Sequence, residues 1–409
     1  MKELLIATHK KVPLPTNESA TNKKKVPRPL NELATPCLLL SMDALERNEV
    51  TMRKRMLAHN MSLRPHAKAH KSSQLAAWHI EQSRHTPLAG FCAQTIVEAE
   101  MLVRAGATDI LITNNLAPHA ATKLARLAAA HPFITFGTLV DCDTHVAVLK
   151  AAAFDAGARL KVLVEIECGM DRCGVLAGSE ASVRLANSII SAAPELEWGG
   201  IHVYAGNLGQ VQSMSARKTA VVAAVGGPVL AARKTVARFT REGISVPCIT
   251  GGGTGTNTMD IAAGVHTELQ PGSYLLMDGN YSKNEGNVFA QALHVHATCI
   301  SSNDATGKRI VDAGSKAVDV LGGMPAVTSI VDAQLATLLA KVVYSEGGCE
   351  HGILRNVPSG VLNVGETVQL IPSDLYSTVN RHACLVGVRD SNVERIFTID
   401  GRYSELSRL

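Results

Sequence analysis

A lysine flanked by a proline and two histidines stands out in the segment Arg64-Pro65-His66-Ala67-Lys68-Ala69-His70-Lys71. Residues 62–67 form a strand-like segment, so Lys68 is expected at the carboxyl end of that strand. Side chains alternate along a strand, and His66 and Lys68 therefore share one face. A lysine amine that is desolvated near other cations has a lowered pKa and can attack an aldehyde carbon. A basic loop that binds an anion is the alternative, and the residues alone leave both interpretations open.

A glycine-rich run, ITGGGTGT at residues 249–256, follows a late apolar strand. Glycines let several backbone N–H groups converge on one anion, and in parallel barrels the loop after the seventh strand is a recurrent phosphate site. Dinucleotide binding instead requires a glycine pattern after a first strand, with an acidic residue about 20 positions later. Because this run comes late in the chain, it predicts a phosphate site rather than a dinucleotide site.

Two further loops carry polar side chains after predicted strands. In ECGMDRCGV, residues 167–175, glycines flank Arg172 and permit a close bidentate approach to an oxyanion, although an exposed arginine paired with Asp171 would give the same pattern. In GIHVYAG, residues 200–206, Tyr204 and His202 follow the sixth strand. A single histidine or tyrosine is more often a structural group than a catalytic one.

The elements that position these loops alternate regularly between residues 62 and 270. Eight apolar strand-like segments, among them residues 62–67 and 160–167, are separated by alanine-rich helical stretches, a rhythm that predicts an α/β fold with a (β/α)8 TIM-type barrel. Near-continuous apolar strands are typical of a parallel sheet buried on both faces. A doubly wound open sheet is the alternative architecture.

Beyond about residue 285 the strand-like segments lose their long helices and predict a second, mostly antiparallel β domain. We therefore divide the chain into a flexible N-terminal extension (1–34), a strand that joins the C-terminal β domain (35–45), the barrel (46–285) and the β domain (286–409). The extension is rich in Lys, Pro, Asn and Thr and shows no lasting period.

Composition excludes several classes of protein. The net charge of +4 among 40 basic and 36 acidic residues is too small and too dispersed to indicate nucleic acid or a membrane surface as a partner. No apolar run reaches the roughly 18 residues that span a bilayer, and no signal-peptide core is present at the start, so we expect a cytoplasmic protein. Nine scattered cysteines without CxxC pairs argue against a disulfide framework or a zinc knot.

Together these segments resemble the fold-type III pyridoxal-phosphate (PLP) enzymes, and within them the D-threonine aldolase and D-serine dehydratase family, which has an alanine racemase-like barrel. The resemblance runs from about Thr35 to the C-terminus. It implies that Lys68 holds PLP as a Schiff base, that Arg172 contacts the phenolic oxygen and that Tyr204 lies near the ring. The remaining cofactor-binding residues that it implies are Gly253, Thr254 and Gly255 at the phosphate, Gln94 in FCAQTIVEAE and Tyr274 in TELQPGSYLLMDGNY. Glu350-His351-Gly352 in the β domain agrees as well.

The chain departs from this family at its divalent-metal site. The family places a histidine, and two residues later a cysteine or aspartate, in a proline-containing segment of the β domain. The matching segment here is PSDLYSTVN, residues 372–380, with Asp374 at the first ligand position and Tyr376 at the second. Ala205 replaces a further family histidine. A carboxylate can bind a hard cation, but a tyrosine is a poor second ligand, so no metal site is assigned.

The resemblance predicts a lyase that acts on a D-β-hydroxy amino acid, by retro-aldol cleavage or by dehydration. The candidate catalytic residues are Lys68, His66, Tyr204 and Tyr376. A metal-independent amino-acid racemase or epimerase, with Lys68 and Tyr376 on opposite faces of the substrate, is the alternative, and a non-catalytic PLP carrier is the second. The expected partners are a small amino-acid substrate and, by resemblance, a second copy of the chain in a homodimer.

Overall fold

The computed structural model describes residues 28–83 and 88–402, so most of the predicted N-terminal extension lies outside the described residues. Strands occur at β1 (Arg28–Pro29), β2 (Cys37–Ser41), β3 (Ser62–Leu63), β4 (Phe91–Ala93), β5 (Asp109–Asn115), β6 (Thr135–Val140), β7 (Leu160–Glu167), β8 (Val175–Leu176), β9 (Leu196–Val203), β10 (Ile249–Gly251), β11 (Glu268–Leu269), β12 (Leu293–Asn303), β13 (Lys308–Val311), β14 (Ala326–Thr328), β15 (Val343–Glu346), β16 (Gly352–Arg355), β17 (Thr367–Ile371), β18 (Cys384–Arg389) and β19 (Asn392–Thr398).

Helices follow most of the barrel strands and are fewer in the second half of the chain. They are α1 (Met42–Ala58), α2 (Ser73–Gln82), α3 (Ile96–Ala105), α4 (Pro118–Ala130), α5 (Asp143–Ala156), α6 (Glu180–Ile190), α7 (Met214–Lys218), α8 (Pro228–Arg241), α9 (Asn257–Ala263), α10 (Ala333–Leu339) and α11 (Leu375–Asn380). Many begin at a side-chain cap, such as Ser72 for α2 and Thr95 for α3.

The first sheet is parallel and closes on itself. Its strand order is β3-β11-β10-β9-β7-β6-β5-β4, and two isolated parallel bridges, Leu63 with Leu88 and His66 with Cys92, join the two edges. The predicted barrel is confirmed, and the open-sheet alternative is wrong. Inside the barrel, Leu111, Leu139 and Leu163 form a buried cluster. The carboxyl ends of these strands meet at one mouth, which is where a parallel barrel collects functional side chains.

The second sheet is built around β2, whose residues Leu38, Leu39 and Leu40 are fully buried. The order is β1-β19-β18-β2-β12-β13-β16-β15-β14-β17, and every pairing is antiparallel except that of β2 with β18. One continuous apolar core joins this sheet to α1, α2 and residues 274–277 of the barrel mouth. The β domain is therefore seated against that mouth, and it brings α11 toward Lys68.

One stretch, Met214–Arg241, has the length and mean hydropathy of a membrane span. It is not a single straight helix, because Ala224 is extended and separates a π-helical turn from α8. Within α8, Val229, Ala232 and Phe239 are buried inside the protein. The stretch is thus a broken barrel helix, packed as such helices are in this architecture.

Candidate active site

Lys68 lies in a 3-10 turn, Ala67–Ala69, immediately after the first barrel strand segment. Its ammonium group stands 5.2 Å from the centroid of the Tyr376 ring and 6.0 Å from that of Tyr204. Within residues 28–83 and 88–402, no carboxylate lies within ion-pair distance of it. Lys71 differs, since its ammonium contacts Asn380 Oδ1 at 2.9 Å and lies 3.6 Å from the Glu98 carboxylate. Lys68 is therefore the lysine of this segment that is placed to react.

The His66 side chain is hydrogen-bonded to the turn that carries Lys68. Its Nδ1 accepts the backbone N–H of Lys68 at 3.4 Å, and its Nε2 lies 3.1 Å from Thr113 Oγ1. Burial lowers the pKa of His66 well below its ordinary value, and the Lys68 charge lowers it further. The imidazole is consequently neutral. With both ring nitrogens engaged, it is placed to hold the turn rather than to carry a proton to a substrate.

Gln94 completes this support. Its Nε2 donates to the Thr113 carbonyl at 3.1 Å, and its own backbone N–H is held by the Glu98 carboxylate at 2.6 Å. The predicted cofactor residue Gln94 therefore stands in one hydrogen-bonded group with Thr113 and His66, behind Lys68.

Tyr204 leaves the end of β9 and lies between Lys68 and the glycine-rich loop. A β-carbon added at Gly253 would be 3.7 Å from its ring, an ordinary contact, so the space above Gly253 is open. The neighbouring glycines are required instead by close contacts with the backbone of other segments. A β-carbon on Gly251 would lie 1.8 Å from the Val203 carbonyl oxygen, and one on Gly255 would lie 1.9 Å from that of Gly209. The loop thus needs glycine to approach the β9 side this closely.

The glycine loop presents unused hydrogen-bond donors. The Gly253 N–H donates to Thr256 Oγ1 at 3.1 Å, whereas the N–H groups of Thr254 and Gly255 have no acceptor among the described residues. Adjacent free N–H groups in a turn form an anion cradle. The loop therefore fits a phosphate group at the predicted residues Gly253, Thr254 and Gly255.

Tyr274 is placed differently from what its predicted role suggests. Its side chain is fully buried, and its hydroxyl lies 3.1 Å from His79 Nε2. Its backbone N–H donates to Thr254 Oγ1 at 3.0 Å. Tyr274 therefore reaches the cradle through its main chain, while its ring anchors that main chain in the core.

His79, which holds the Tyr274 hydroxyl, makes stability depend on pH. Burial lowers its pKa from 6.5 to about 3, with a smaller effect from His70. Below pH 6.5 the unfolded chain binds a proton here that the folded protein does not bind until about pH 3. The free energy of unfolding should therefore fall with decreasing pH, by up to about 1.4 kcal/mol per pH unit from this group.

The expected difference appears when urea unfolding of wild type is compared with that of His79→Gln between about pH 7 and pH 5. Gln keeps a polar partner for Tyr274 but does not titrate, so the variant should show a shallower dependence. Burial also lowers the pKa values of His70 and His294 to about 4, and these two groups add the same pH dependence of unfolding free energy to wild type and variant. Equal slopes in the two proteins would contradict the assignment.

Arg172 lies exposed in the loop after β7, and its described contact is with the neighbouring Cys173. The loop itself is well organised, because Glu167 Oε1 accepts the N–H groups of Met170 at 2.9 Å and Asp171 at 3.2 Å. The Asn207 amide donates to the Gly169 carbonyl at 2.8 Å and links this loop to the one that follows Tyr204. The predicted contact of Arg172 with the cofactor stays a prediction.

A buried polar line crosses the barrel interior below these groups, and His202 is the one member of it that was a candidate from the sequence. Nδ1 of His202 lies 3.0 Å from Glu165 Oε2, and its Nε2 lies 3.1 Å from Gln270 Oε1. Gln270 Nε2 in turn donates a hydrogen bond to Thr250 Oγ1 at 2.8 Å. Each of these residues lies near the carboxyl end of its strand and faces the barrel interior. The alternation of side chains along the strands could therefore have predicted that they lie together.

Tyr376 reaches the mouth from the β domain. Its hydroxyl is 2.6 Å from Ser273 Oγ, and Tyr281 lies next to the same serine. Burial raises the pKa of Tyr376, and the nearby Tyr204 adds to that effect, so the phenol stays protonated at neutral pH. The mouth therefore carries three tyrosines and one serine on the side of Lys68 where the β domain lies.

Known families match this chain over most of its length. The alanine racemase N-terminal domain matches residues 40–279, and a serine dehydratase domain matches residues 292–388. A 3-hydroxy-D-aspartate aldolase of Paracoccus denitrificans (strain Pd 1222) is 35% identical over 376 residues, 90% of this chain and 92% of that protein. A D-threonine aldolase of Arthrobacter sp is 34% identical over 373 residues, again 90% and 92%. The crystal structure of D-threonine aldolase from Filomicrobium marinum has a TM-score of 0.83 and 32% identity, covering 92% of this chain and 98% of that one.

The chain belongs to the D-threonine aldolase and D-serine dehydratase family. The predicted family is thereby confirmed, and so is the prediction of a PLP-dependent lyase. The residues present fit this cofactor: within the part of the chain that the structure describes, the Lys68 amine has no carboxylate partner, and the N–H groups of Thr254 and Gly255 have no acceptor and can bind a phosphate. When bound, PLP supplies an electron sink conjugated to the substrate's α-carbon.

The metal of this family does not fit the residues at its site. Asp374 is the N-cap of α11, and its Oδ1 accepts the Ser377 N–H at 2.8 Å. Its partner position holds the protonated phenol of Tyr376, which is a weak ligand for a divalent cation. Among residues 28–83 and 88–402, the one group of three ligand-type side chains close enough to converge is Asp141, Cys142 and His145, which does not include Asp374.

That group lies at the start of α5, on the barrel side of the mouth. Asp141 is already engaged there, since one oxygen accepts the Gly174 N–H at 3.0 Å and the other lies 3.0 Å from His145 Nδ1. Its contacts anchor the loop that carries Arg172. We therefore assign Asp141 a structural role.

Proposed function

We propose that this protein cleaves a D-β-hydroxy-α-amino acid by a retro-aldol reaction to glycine and an aldehyde. The observation that carries the proposal is the position of Lys68 between two tyrosine rings, one of which, Tyr204, also lies against the loop with the free N–H groups. The 3-hydroxy-D-aspartate aldolase and the two D-threonine aldolases described above support the choice of aldol cleavage over dehydration.

The roles of the residues follow from their geometry. Lys68 Nζ would hold PLP, which would supply an electron sink for the charge that develops at Cα, and the Lys68 amine would be a base close to the substrate. The Cα–Cβ bond of the substrate breaks, its electron pair passes to Cα, and the β-hydroxyl proton passes to the Lys68 amine as the new carbonyl forms. Return of that proton to Cα gives glycine. Tyr204 packs beside the reacting centre, while His66 and Gln94 keep the lysine turn in place.

Product analysis tests this function directly. The PLP-loaded protein is incubated with D-threonine and D-phenylserine, with the L-enantiomers as controls. Equimolar glycine and aldehyde from the D-substrates alone are expected. Ammonia with a keto acid would show a dehydratase, and loss of optical rotation without either product would show a racemase, which the closeness of Lys68 and Tyr376 makes the second candidate. No turnover with a broad amino-acid panel would leave a PLP carrier.

We also propose a homodimer in the cytoplasm. The β domain carries large apolar side chains that are at least half exposed, namely Leu321, Val331 and Val343. Apolar surface of this kind can be covered by a second copy of the chain. All nine cysteines are free thiols, as in a reducing compartment. Light scattering on the purified protein tests the assembly, because a monomeric mass would contradict it.

A further inference from the structure

We propose that the Tyr376 hydroxyl, held by Ser273, binds the β-oxygen of the substrate in place of a divalent metal ion. The inference rests on the proposed function, because it assumes a substrate that carries a β-hydroxyl. It concerns the position where the family has its metal ligands and where this chain has Asp374 and Tyr376.

Asp374 is occupied in placing the helix that carries Tyr376. Its carboxylate caps α11 through the Ser377 N–H, and its carbonyl accepts the Thr378 hydroxyl at 2.8 Å. The buried Asp278 completes this arrangement by accepting the Leu375 N–H at 3.3 Å. The carboxylate at the first ligand position thus fixes the backbone on which the phenol stands.

Ser273 connects the phenol to the rest of the site. Two residues before it, the Pro271 carbonyl accepts the His66 N–H at 3.1 Å, at the start of the lysine turn. One residue after it, the Tyr274 N–H donates to Thr254 in the phosphate loop. The backbone on either side of Ser273 is therefore hydrogen-bonded to both the lysine turn and the phosphate loop. These bonds fix the position of the Tyr376–Ser273 hydroxyl pair relative to both.

This geometry leaves a donor for the substrate. When Ser273 donates to Tyr376, the phenolic hydrogen is available to another acceptor, and the Lys68 ammonium lies over the same ring, 5.2 Å from its centroid. A protonated phenol can donate a hydrogen bond to a hydroxyl or carbonyl oxygen, which is the atom that a metal ion would otherwise polarise. One fixed hydroxyl thus recognises the β-oxygen without a cation.

The test is a titration of the PLP-loaded protein with D-threonine and with D-2-aminobutyrate, which lacks only the hydroxyl. Binding is followed in the first moments after mixing by the absorbance change of the cofactor. We expect wild type to prefer D-threonine, and Tyr376→Phe to lose roughly three- to tenfold of this preference, the worth of one hydrogen bond. Affinity for D-2-aminobutyrate should be unchanged in the variant, which also shows that it has folded and loaded.

Two further variants sharpen the result. Ser273→Ala should lose part of the same preference, because the phenol is no longer fixed. Tyr344→Phe is the matched control: its hydroxyl donates to the Ala313 carbonyl at 2.8 Å within the β domain, so the preference should be kept. Dialysis of wild type against EDTA should leave the preference intact.

The proposal is overturned if wild type shows no preference for the hydroxylated ligand or if Tyr376→Phe retains it. It is also overturned if EDTA abolishes the preference and Mn²⁺ restores it. Because binding is measured, the result does not depend on which products form. A protein that binds D-threonine through Tyr376 but releases no aldehyde would refute the proposed function and leave this inference standing.

Discussion

Replacing Lys68 with alanine is expected to abolish covalent capture of PLP and to lower turnover on the order of a thousandfold or more. The reason is that no other amine described at the barrel mouth stands free beside both the tyrosine rings and the cradle. Borohydride reduction of the loaded protein, followed by peptide mass spectrometry, should find the cofactor's mass on Lys68 in wild type and nowhere in the variant.

Lys71→Gln is the appropriate control, because Lys71 is three residues away in the same segment but is tied to Asn380 and Glu98. This variant should retain the adduct on Lys68 and its visible absorbance. An adduct on Lys71 in wild type, or full turnover by Lys68→Ala, would disprove the assignment.

Replacing Arg64 with alanine should cost about 3–5 kcal/mol of the free energy of unfolding. The guanidinium lies buried beneath the lysine turn, 2.6 Å from Glu268 Oε1 and 2.6 Å from Asp109 Oδ1. Burial alone would lower the pKa of Arg64, but the two carboxylates outweigh it and raise that pKa. Removing the arginine leaves Glu268, which is only 5% exposed, as an uncompensated charge inside the barrel.

Urea unfolding of the cofactor-free protein measures this loss. Arg159→Ala provides the comparison on the same barrel, because its pair with Glu197 is exposed, with side chains 66% and 41% accessible. Exposed pairs contribute about 0–1 kcal/mol, so the control should be nearly neutral. A loss at Arg64 no larger than that at Arg159 would refute the role of the buried pair.

The barrel strands were predictable where a segment was long and mostly apolar. The predicted strand 160–167 has the bounds that β7 shows. The predicted first strand, 62–67, shortens to Ser62–Leu63, since Pro65 has no N–H for a ladder and the following residues turn into the 3-10 segment. Strands such as β15 were missed because they are short and partly exposed, which leaves little apolar signal.

Within the site, Lys68, Tyr204 and the glycine loop were predictable from their positions at the ends of strands, because a parallel barrel gathers such ends at one mouth. Ser273 and Tyr281 were not predictable in this way, because they reach Tyr376 only when the β domain packs on the barrel mouth. Nor could spacing show that the Tyr274 ring turns into the core toward His79. The cap at Asp374 did have a local signal: an aspartate before a short helical run is a common helix start, and it would have predicted α11.

The pairing of early strands with late ones bears on how the chain is made. Strand β3 pairs with β11, and β2 pairs with both β12 and β18, which are synthesised much later. On a ribosome, the three leucines of β2 therefore emerge long before their neighbours exist. Contacts between such distant positions form slowly, and unpaired apolar strands invite aggregation. Expression of this protein should consequently benefit from chaperones that shield nascent chains.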